Sequence, residues 1–104
     1  LELDAADLTA RRGQALAITW QPAAAGDLVY VDVEPVPGSP SDRVRCAMAD
    51  SGEARLSETA IPETDAMTLT IHRVRVAPLR TSSGNVGTAH FDVAISAWVK
   101  VAAP

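Results

Sequence analysis

The C-terminal part of the chain has the clearest alternation of hydrophobic and polar positions. Between Ala89 and Val101 every second residue is apolar, namely Phe91, Val93, Ile95, Ala97, Val99 and Val101. A period of two belongs to a β-strand with one buried face, because successive side chains of a strand point to opposite sides. The intervening positions are small or polar except for Trp98, so this stretch predicts a long strand with a core side and a solvent side.

Shorter stretches with the same alternation precede it. Gly, Pro, Asn and Asp separate them, and the only helical feature expected is a single turn at 57–60. The six predicted strands are Leu1–Leu8, Leu16–Trp20, Leu28–Glu34, Val44–Met48, Ala54–Leu56 and Met67–Val76. With the C-terminal strand they make about seven, which predicts one all-β domain over residues 1–104, an antiparallel two-sheet β-sandwich.

In the stretch Met67–Val76 the apolar residues change parity before Val74. A shift of one residue moves side chains to the opposite face of a sheet. The sequence therefore predicts a β-bulge near His72 and Arg73. The polar segment 81–87 then connects this strand to the last one as a hairpin with a long loop.

The apolar parities also predict the core. Cys46 alternates with arginines and therefore points with the apolar side, where we expect it to be inert packing. The predicted structural core consists of Trp20, Cys46, Leu69, Ile71, Phe91, Val93, Ile95 and Val99.

Composition narrows the functional classes. The formal net charge is −4, which disfavours nucleic acid and anionic membrane surfaces as partners, since both attract a basic patch. No run of about 18 apolar residues is present, so direct membrane insertion is not expected. Cys46 is the only cysteine, which excludes an intrachain disulfide and a cysteine-based metal site.

Trp98 is the one large aromatic residue on the predicted solvent side. An exposed indole there would serve as a stacking platform for a sugar, with Tyr30, or as the centre of a protein contact. The more ordinary interpretation, which we favour, is that a neighbouring loop covers Trp98 or that the parity shifts locally.

His72 and His90 fall on the outward parities of the last two strands, where they are candidates for cross-strand neighbours. Such a pair would hold a metal ion or make a pH-sensitive contact. Two ligands make a weak site, so no metal and no cofactor are predicted.

Acidic and basic residues alternate on two strands that lie side by side in many sandwiches. Asp32 and Glu34 occupy one strand, and Arg73 and Arg75 occupy the other. The sequence therefore predicts cross-strand ion pairs between them. The alternative is an outward-facing anion site made by the arginines.

Motifs for catalysis are missing. Ser82 and Ser83 lie near Gly84, but the chain has no Gly-x-Ser-x-Gly, no phosphate-binding glycine loop and no His-Glu-x-x-His. We therefore predict that the chain is not an enzyme.

The strand pattern resembles immunoglobulin-like or fibronectin-type sandwich domains, with Trp20 closing the second strand, Tyr30 on the third and two long final strands. The motif Val-x-Cys-x-x-x-Asp-x-Gly at 44–52, with the apolar positions that follow it, is similar to uncharacterised surface or lipoprotein domains of soil-dwelling proteobacteria. The likeness covers roughly residues 15–76. The chain departs from antibody-type domains because it lacks the second cysteine.

This resemblance implies a bacterial cell-envelope or secreted location and carries over no catalytic residue. The expected function is a noncatalytic interaction or spacer module that binds a protein or glycan at the cell surface. The alternatives are a carbohydrate-binding module that uses Trp98 with Tyr30, and an accessory domain of a hydrolase. An unpaired edge strand or the Trp98 patch would also permit a homo-oligomer.

Overall fold

The structure, a computed structural model, describes residues 8–22 and 27–104, and for Phe91 it describes only the backbone. In this part of the chain seven strands form, with two single turns of 3₁₀ helix at Pro40–Asp42 and Glu58–Ala60. None of the described residues forms a helix long and apolar enough to cross a membrane. The strands are β1 (Thr9–Arg11), β2 (Leu16–Thr19), β3 (Leu28–Val36), β4 (Val44–Ala49), β5 (Glu53–Leu56), β6 (Ala66–Arg80) and β7 (Val86–Ala102).

Most of the predicted strands are found, and the all-β prediction is confirmed. Most of the predicted strand Leu1–Leu8 lies outside the described residues. The helical turn expected at 57–60 is the second 3₁₀ turn, which the Ser57 hydroxyl caps by accepting a hydrogen bond from the Thr59 amide.

The strands form a five-stranded sheet in the order β1-β7-β6-β3-β4 and a two-stranded sheet of β2 and β5. Four of the five pairings are antiparallel, and β1 runs parallel to β7. The larger sheet curls into a half-barrel over the smaller one, so the two layers differ in size.

The core lies between the concave face of the large sheet and the small sheet. Alternate residues of β3, β6 and β7 are buried there, and β2 and β5 cover them. Each fully buried aliphatic side chain contributes roughly 1.5–3 kcal/mol to folding. The main members are Val29, Val31, Val33, Met67, Leu69, Ile71, Val99 and Val101 from the large sheet, and Leu16, Ile18, Trp20 and Leu56 from the covering layer.

The predicted core is confirmed for Trp20, Leu69, Ile71 and Val99, all of which are buried. Cys46 and Ile95 are partly buried and pack against the core.

Val93 contradicts the predicted core, because 54% of it is exposed. It lies opposite Arg73, one step along β6 beyond Ile71, the last fully buried residue of that strand. The covering strands β2 and β5 are only four residues long, and the apolar core ends before it reaches this position.

The predicted bulge is wrong, because β6 and β7 pair in one unbroken register. Fifteen pairs run from Ala66 opposite Lys100 to Arg80 opposite Val86. Arg73 therefore stays on the concave face with Ile71. The change of parity in the sequence marks the point where the continuous strand β6 leaves the core, and it does not mark a break in the strand.

The β6–β7 hairpin extends well past the rest of the sheet. Pairing with β3 ends at Val74, and six further pairs continue as a two-stranded ribbon that we call the arm, residues 75–91. The chain measures 58 × 26 × 20 Å, and its radius of gyration is 16.1 Å. A compact domain of this length has a radius of about 13 Å. The arm therefore gives the molecule an elongated outline.

A five-residue loop closes the end of the arm. The amide of Thr81 donates to the carbonyl oxygen of Asn85 at 2.9 Å, and the amide of Gly84 donates to that of Thr81 at 3.0 Å. Gly84 has a φ of +87°, a conformation that favours glycine. Strand β7 begins at Val86, directly after the loop.

Candidate interaction site

The convex face of the large sheet carries a charged network centred on Asp32. Arg45 of β4 donates two hydrogen bonds to this carboxylate, from Nε to Oδ1 at 2.7 Å and from Nη2 to Oδ2 at 2.9 Å. The Arg45 guanidinium also lies 5.5 Å from the centre of the Tyr30 ring. These hydrogen bonds lower the pKa of Asp32 although burial opposes them, and they raise the pKa of Arg45. The bidentate pair therefore holds β3 and β4 in register.

His72 lies between two carboxylates on this face. Its Nε2 is 3.2 Å from Oδ2 of Asp32, and its Nδ1 is 3.3 Å from Oδ1 of Asp92. The nearby hydroxyls of Thr70 and Ser96 bond to each other at 2.8 Å. Because both ring nitrogens of His72 contact carboxylates, the imidazole is not aimed at a hydroxyl in the manner of a catalytic base.

The two histidines predicted as cross-strand neighbours are separate. His72 lies opposite Ala94, whereas His90 lies opposite Val76, four residues further along β6. His90 is exposed, and its Nε2 is 3.5 Å from the Thr88 hydroxyl. The described residues also contain no group of three or more His, Cys, Asp or Glu side chains placed to hold a metal ion.

Trp98 is 67% exposed on the convex face, and the register of β7 is unbroken around it. Among the described residues no loop covers Trp98 and its parity does not shift, so the favoured interpretation is wrong. Trp98 lies opposite Thr68 of β6, which in turn lies opposite Glu34 of β3. Arg43 Nη2 is 2.8 Å from the Glu34 carboxylate. One aromatic and three polar side chains thus form a row across the convex face of the sheet.

Tyr30 does not share this row. It is half-buried and lies opposite His72, whose partner on β7 is Ala94, four residues from Trp98. Strand and sheet spacings put the backbones of Tyr30 and Trp98 roughly 16 Å apart. The two aromatic residues predicted as one platform therefore form two separate features.

The ion pairs predicted between β3 and β6 are wrong, although these strands are adjacent. Arg73 lies opposite Val29, and so Arg73 and Arg75 have the concave parity. Asp32 and Glu34 have the convex parity and pair instead with Arg45 of β4 and with Arg43, the residue before β4. The alternation of charge correctly indicated that β3 and β6 are neighbours. It wrongly placed their charged residues on the same face of the sheet.

The two arginines of β6 close the end of the core where the arm begins. Arg73 Nε donates to Asp50 Oδ2 at 2.8 Å, and Arg75 donates two hydrogen bonds to Asp27 at 2.9 and 2.8 Å. Hydrogen bonding from Arg75 lowers the pKa of Asp27 and raises that of Arg75 itself. These pairs allow β6 to leave the core with charged side chains on its inner face.

Asp50 also fixes Trp20. Its Oδ1 accepts a hydrogen bond from the Trp20 indole Nε1 at 2.7 Å, and its side chain is only 1% exposed. The sequence places Asp50 in an Asp-Ser-Gly turn, where an aspartate is ordinary. Nothing local indicated that this carboxylate joins Trp20 to Arg73, because the three residues are far apart along the chain.

The arm exposes apolar side chains on both faces. Val76 and Val86 have the convex parity, and Leu79 has the concave parity, where it lies opposite Gly87. Each of the three is more than half exposed. Arg80 is the only fully charged residue from Val76 to the end of the arm. A ribbon with few charges and with apolar side chains exposed on both faces is a typical interaction surface.

Comparison of the chain with protein-family models, with curated proteins and with solved structures gives no match in any of the three. The geometry of the arm and of the convex face is therefore the basis for a functional proposal.

Proposed function

We propose that this chain is a noncatalytic interaction module whose principal contact surface is the arm. The observation that carries the proposal is the six-pair ribbon beyond β3, with apolar side chains exposed on both faces. A two-stranded ribbon is marginally stable in water without a third strand or a covering layer. A partner that covers the arm would supply that missing contact.

We further propose that the fold is an immunoglobulin-like sandwich. The order β7-β6-β3-β4 in one sheet, with β2 and β5 in the other, supports this assignment. In variable-type immunoglobulin domains the strands G, F, C and C′ follow the same order, with B and E in the opposite sheet. The β6–β7 hairpin then corresponds to the F–G loop, which lies at the ligand-binding end of such domains.

A noncatalytic role is supported by the surroundings of His72, whose ring nitrogens contact Asp32 and Asp92 rather than a hydroxyl. A location in the bacterial cell envelope or outside the cell is also part of the proposal. It is supported only by the resemblance that covers residues 15–76.

A shortened arm tests the proposal. Replacing residues 78–88 by Asn-Gly joins Ala77 to Ala89 through a two-residue hairpin turn and keeps the register of β6 and β7. Wild type and variant are immobilised and exposed to envelope and secreted fractions of the organism that makes the protein. Arg55→Ala, an exposed change on β5 of the small sheet, is the matched control.

We expect wild type and Arg55→Ala to capture the same protein, and the shortened arm to lose it. Hydrogen exchange of the purified complex should then be slowed in the arm. Equal capture by the shortened variant would overturn the proposal, as would protection confined to β2 and β5.

A second candidate function is glycan binding at the Trp98 row, which would also suit an accessory domain of a hydrolase. The observation that favours it is an exposed indole in line with Thr68 and with the Glu34–Arg43 pair. A sugar ring would stack on Trp98 while its hydroxyls bond to these polar groups. Glycan-array binding that Trp98→Ala abolishes and Tyr30→Ala preserves would support this candidate. Absence of binding by wild type would remove it.

A further inference from the structure

The partner of the arm can be inferred from the hydrogen-bonding groups on its two edges. The amide of Val101 donates to the carbonyl oxygen of Asp65 on the β6 side, and the carbonyl oxygen of Ala102 accepts from the Arg12 amide on the other side. Neighbouring residues of a strand direct their N–H and C=O groups to opposite edges. Since the register of β7 is unbroken, its even-numbered residues direct these groups away from β6.

Within the described residues, the outer edge of β7 has no paired strand along most of its length. Among the described residues only β1 pairs with it, and that pairing begins at Lys100. Seven residues before Lys100 present an outward N–H and C=O without a neighbouring described strand: Val86, Thr88, His90, Asp92, Ala94, Ser96 and Trp98. Proline and bulges, which commonly protect edge strands, are missing from this stretch.

The other edge of the arm is protected. Beyond the end of β3, the residues of β6 that face outward are Val76, Pro78 and Arg80. Pro78 has no N–H to donate, and Arg80 adds a charge at the tip. Strand addition is therefore favoured on β7 and disfavoured on β6.

The extended arm gives the chain more accessible surface than a compact monomer of its mass. The accessible surface is 6487 Å². A monomer of this mass exposes about 5,600 Å² on average, so the chain has about 900 Å² in excess. A standard interface buries about 800 Å² from each partner. The excess thus matches one side of a single interface.

Charge favours the arm of a second copy as that partner. With Arg75 at its base and Arg80 at its tip, the arm contributes a formal charge of +2 to a chain of net charge −4, which leaves −6 for the rest. Two arms that lie side by side avoid the repulsion that two acidic bodies would experience face to face. A two-fold axis across β7 also satisfies both open edges at once.

We propose that two copies of this chain dimerise by antiparallel pairing of their β7 strands, with the two-fold axis at the backbone of Phe91. This inference rests on the proposed function, since it names the partner of the arm. In that register His90 of one copy lies opposite Asp92 of the other, on both sides of the axis. A register shifted by one residue places Asp92 opposite Asp92, or His90 opposite His90, which like charges disfavour.

The register also gives a long ladder between the two copies. Residues 86–96 of one copy pair with residues 96–86 of the other, which makes about a dozen backbone hydrogen bonds. The tip loop of each arm then ends beside Trp98 of the other copy, just before β1 begins to pair at Lys100. The exposed indole thereby gains a covering segment from the second copy.

Proline substitution on each edge tests the inference. Thr88→Pro removes one outward N–H of β7 in each copy and leaves the pairing with β6 intact, because Thr88 lies opposite Pro78 in a pair without mutual hydrogen bonds. Two lost backbone hydrogen bonds correspond to a rise of about thirtyfold in the dimer dissociation constant. Val76→Pro, which alters the β6 edge, is the matched control and should leave the constant unchanged.

The measurement is light scattering coupled to size-exclusion chromatography, with the wild-type chain at up to about 100 μM. Twice the monomer mass for wild type and Val76→Pro, and the monomer mass for Thr88→Pro, support the inference. A monomeric wild type would overturn it. So would equal effects of the two prolines, with circular dichroism verifying that both variants are folded.

Disulfide trapping tests the register independently. In a Cys46→Ser background, Phe91→Cys sets two cysteines opposite each other at the axis, with Cα atoms about 4.5 Å apart, within the range of a disulfide. Leu79→Cys on β6 in the same background is the control. Covalent dimer from the first variant alone supports the register, and equal cross-linking of both overturns it. If wild type is monomeric but the shortened arm still loses its captured protein, only the dimer inference fails and the proposed function stands.

Discussion

The two ends of the β6–β7 hairpin are built from the same two strands in one register, yet only one end belongs to a core. At the end that lies in the core, Leu69 is fully buried beneath the small sheet. Ten residues further along the same strand and on the same parity, Leu79 is 53% exposed. The residue type and the strand are the same at the two sites. The difference lies in the neighbours, which shows that alternation specifies a strand but a second layer specifies a core.

The largest test of this comparison uses the same substitution at both ends. Leu69→Ala should lower the free energy of unfolding by about 3 kcal/mol, because it removes a side chain from a closed core and leaves a cavity. Leu79→Ala should change it by no more than about 0.5 kcal/mol. Urea denaturation of the two variants measures the difference, and similar losses would mean that the arm is packed as tightly as the core.

The junction between the two ends should be the next most sensitive site. Asp50→Asn should cost about 2 kcal/mol, because the Arg73 guanidinium, largely buried there, loses its charged partner. The control is Asp65→Asn, since the Asp65 side chain is 97% exposed in its pair with Arg12 and such pairs contribute about 0–1 kcal/mol. Equal costs in urea denaturation would remove the distinction between the junction and the surface.

Acid should destabilise the folded chain through two carboxylates. Hydrogen bonds from Arg75 and from Arg45 lower the pKa values of Asp27 and Asp32 in the folded chain, relative to about 3.9 for an unfolded aspartate. Such groups contribute stability that is complete above the unfolded value and is lost as the pH falls through the folded value. Because these two groups become protonated, the urea concentration at the unfolding midpoint should decrease once the pH is below about 4.

The double variant Asp27→Asn, Asp32→Asn sharpens this test. It should have a lower midpoint than wild type at pH 7 and a shallower decline between pH 5 and pH 2, since the two titrating groups are gone. An unchanged decline would assign the acid sensitivity to other carboxylates.

The smallest effect is expected from shortening the arm itself. Replacing residues 78–88 by Asn-Gly should change the unfolding free energy of the monomer by less than about 1 kcal/mol, because the removed pairs have no covering layer. The full-length reference is Thr88→Pro, which keeps the comparison monomeric, since the shortened chain lacks residue 88 altogether. A larger loss would show that the arm supports the core.

Alternation predicted the strands well, and it predicted buried positions only where a covering layer lies over them. Leu69, Ile71 and Val99 follow the rule because β2 and β5 cover them. Val93 breaks it because the core ends one step earlier. No local pattern states where a second layer stops, since that depends on a small sheet made by segments far away in the sequence.

The wrong bulge and the wrong ion pairs have one physical origin. Both assumed that Arg73 faces solvent with the polar parity, as a charged residue ordinarily does. Its concave position is stable only because the Asp50 carboxylate lies there. A long-range pair of this kind leaves no local trace, so the sequence predicted a break where the strand is continuous.

The site was foreseen in part. Trp98 was correctly identified as unusual for its parity, and the hairpin with a long connection was recognised. The separation of His72 from His90 depends on strand register, which the parity of each strand does not determine. The extent of the arm depends on where β3 ends relative to β6, and this too is a property of pairing.

The arm also makes the chain divisible. A single proteolytic cut after Arg80, in the exposed tip, would yield fragments 1–80 and 81–104, each of which retains one whole strand of the fifteen-pair ladder. Two separately expressed halves cut at this point should recombine into a native-like molecule. The same loop is consequently the natural place to insert a tag or a reporter without disturbing the core.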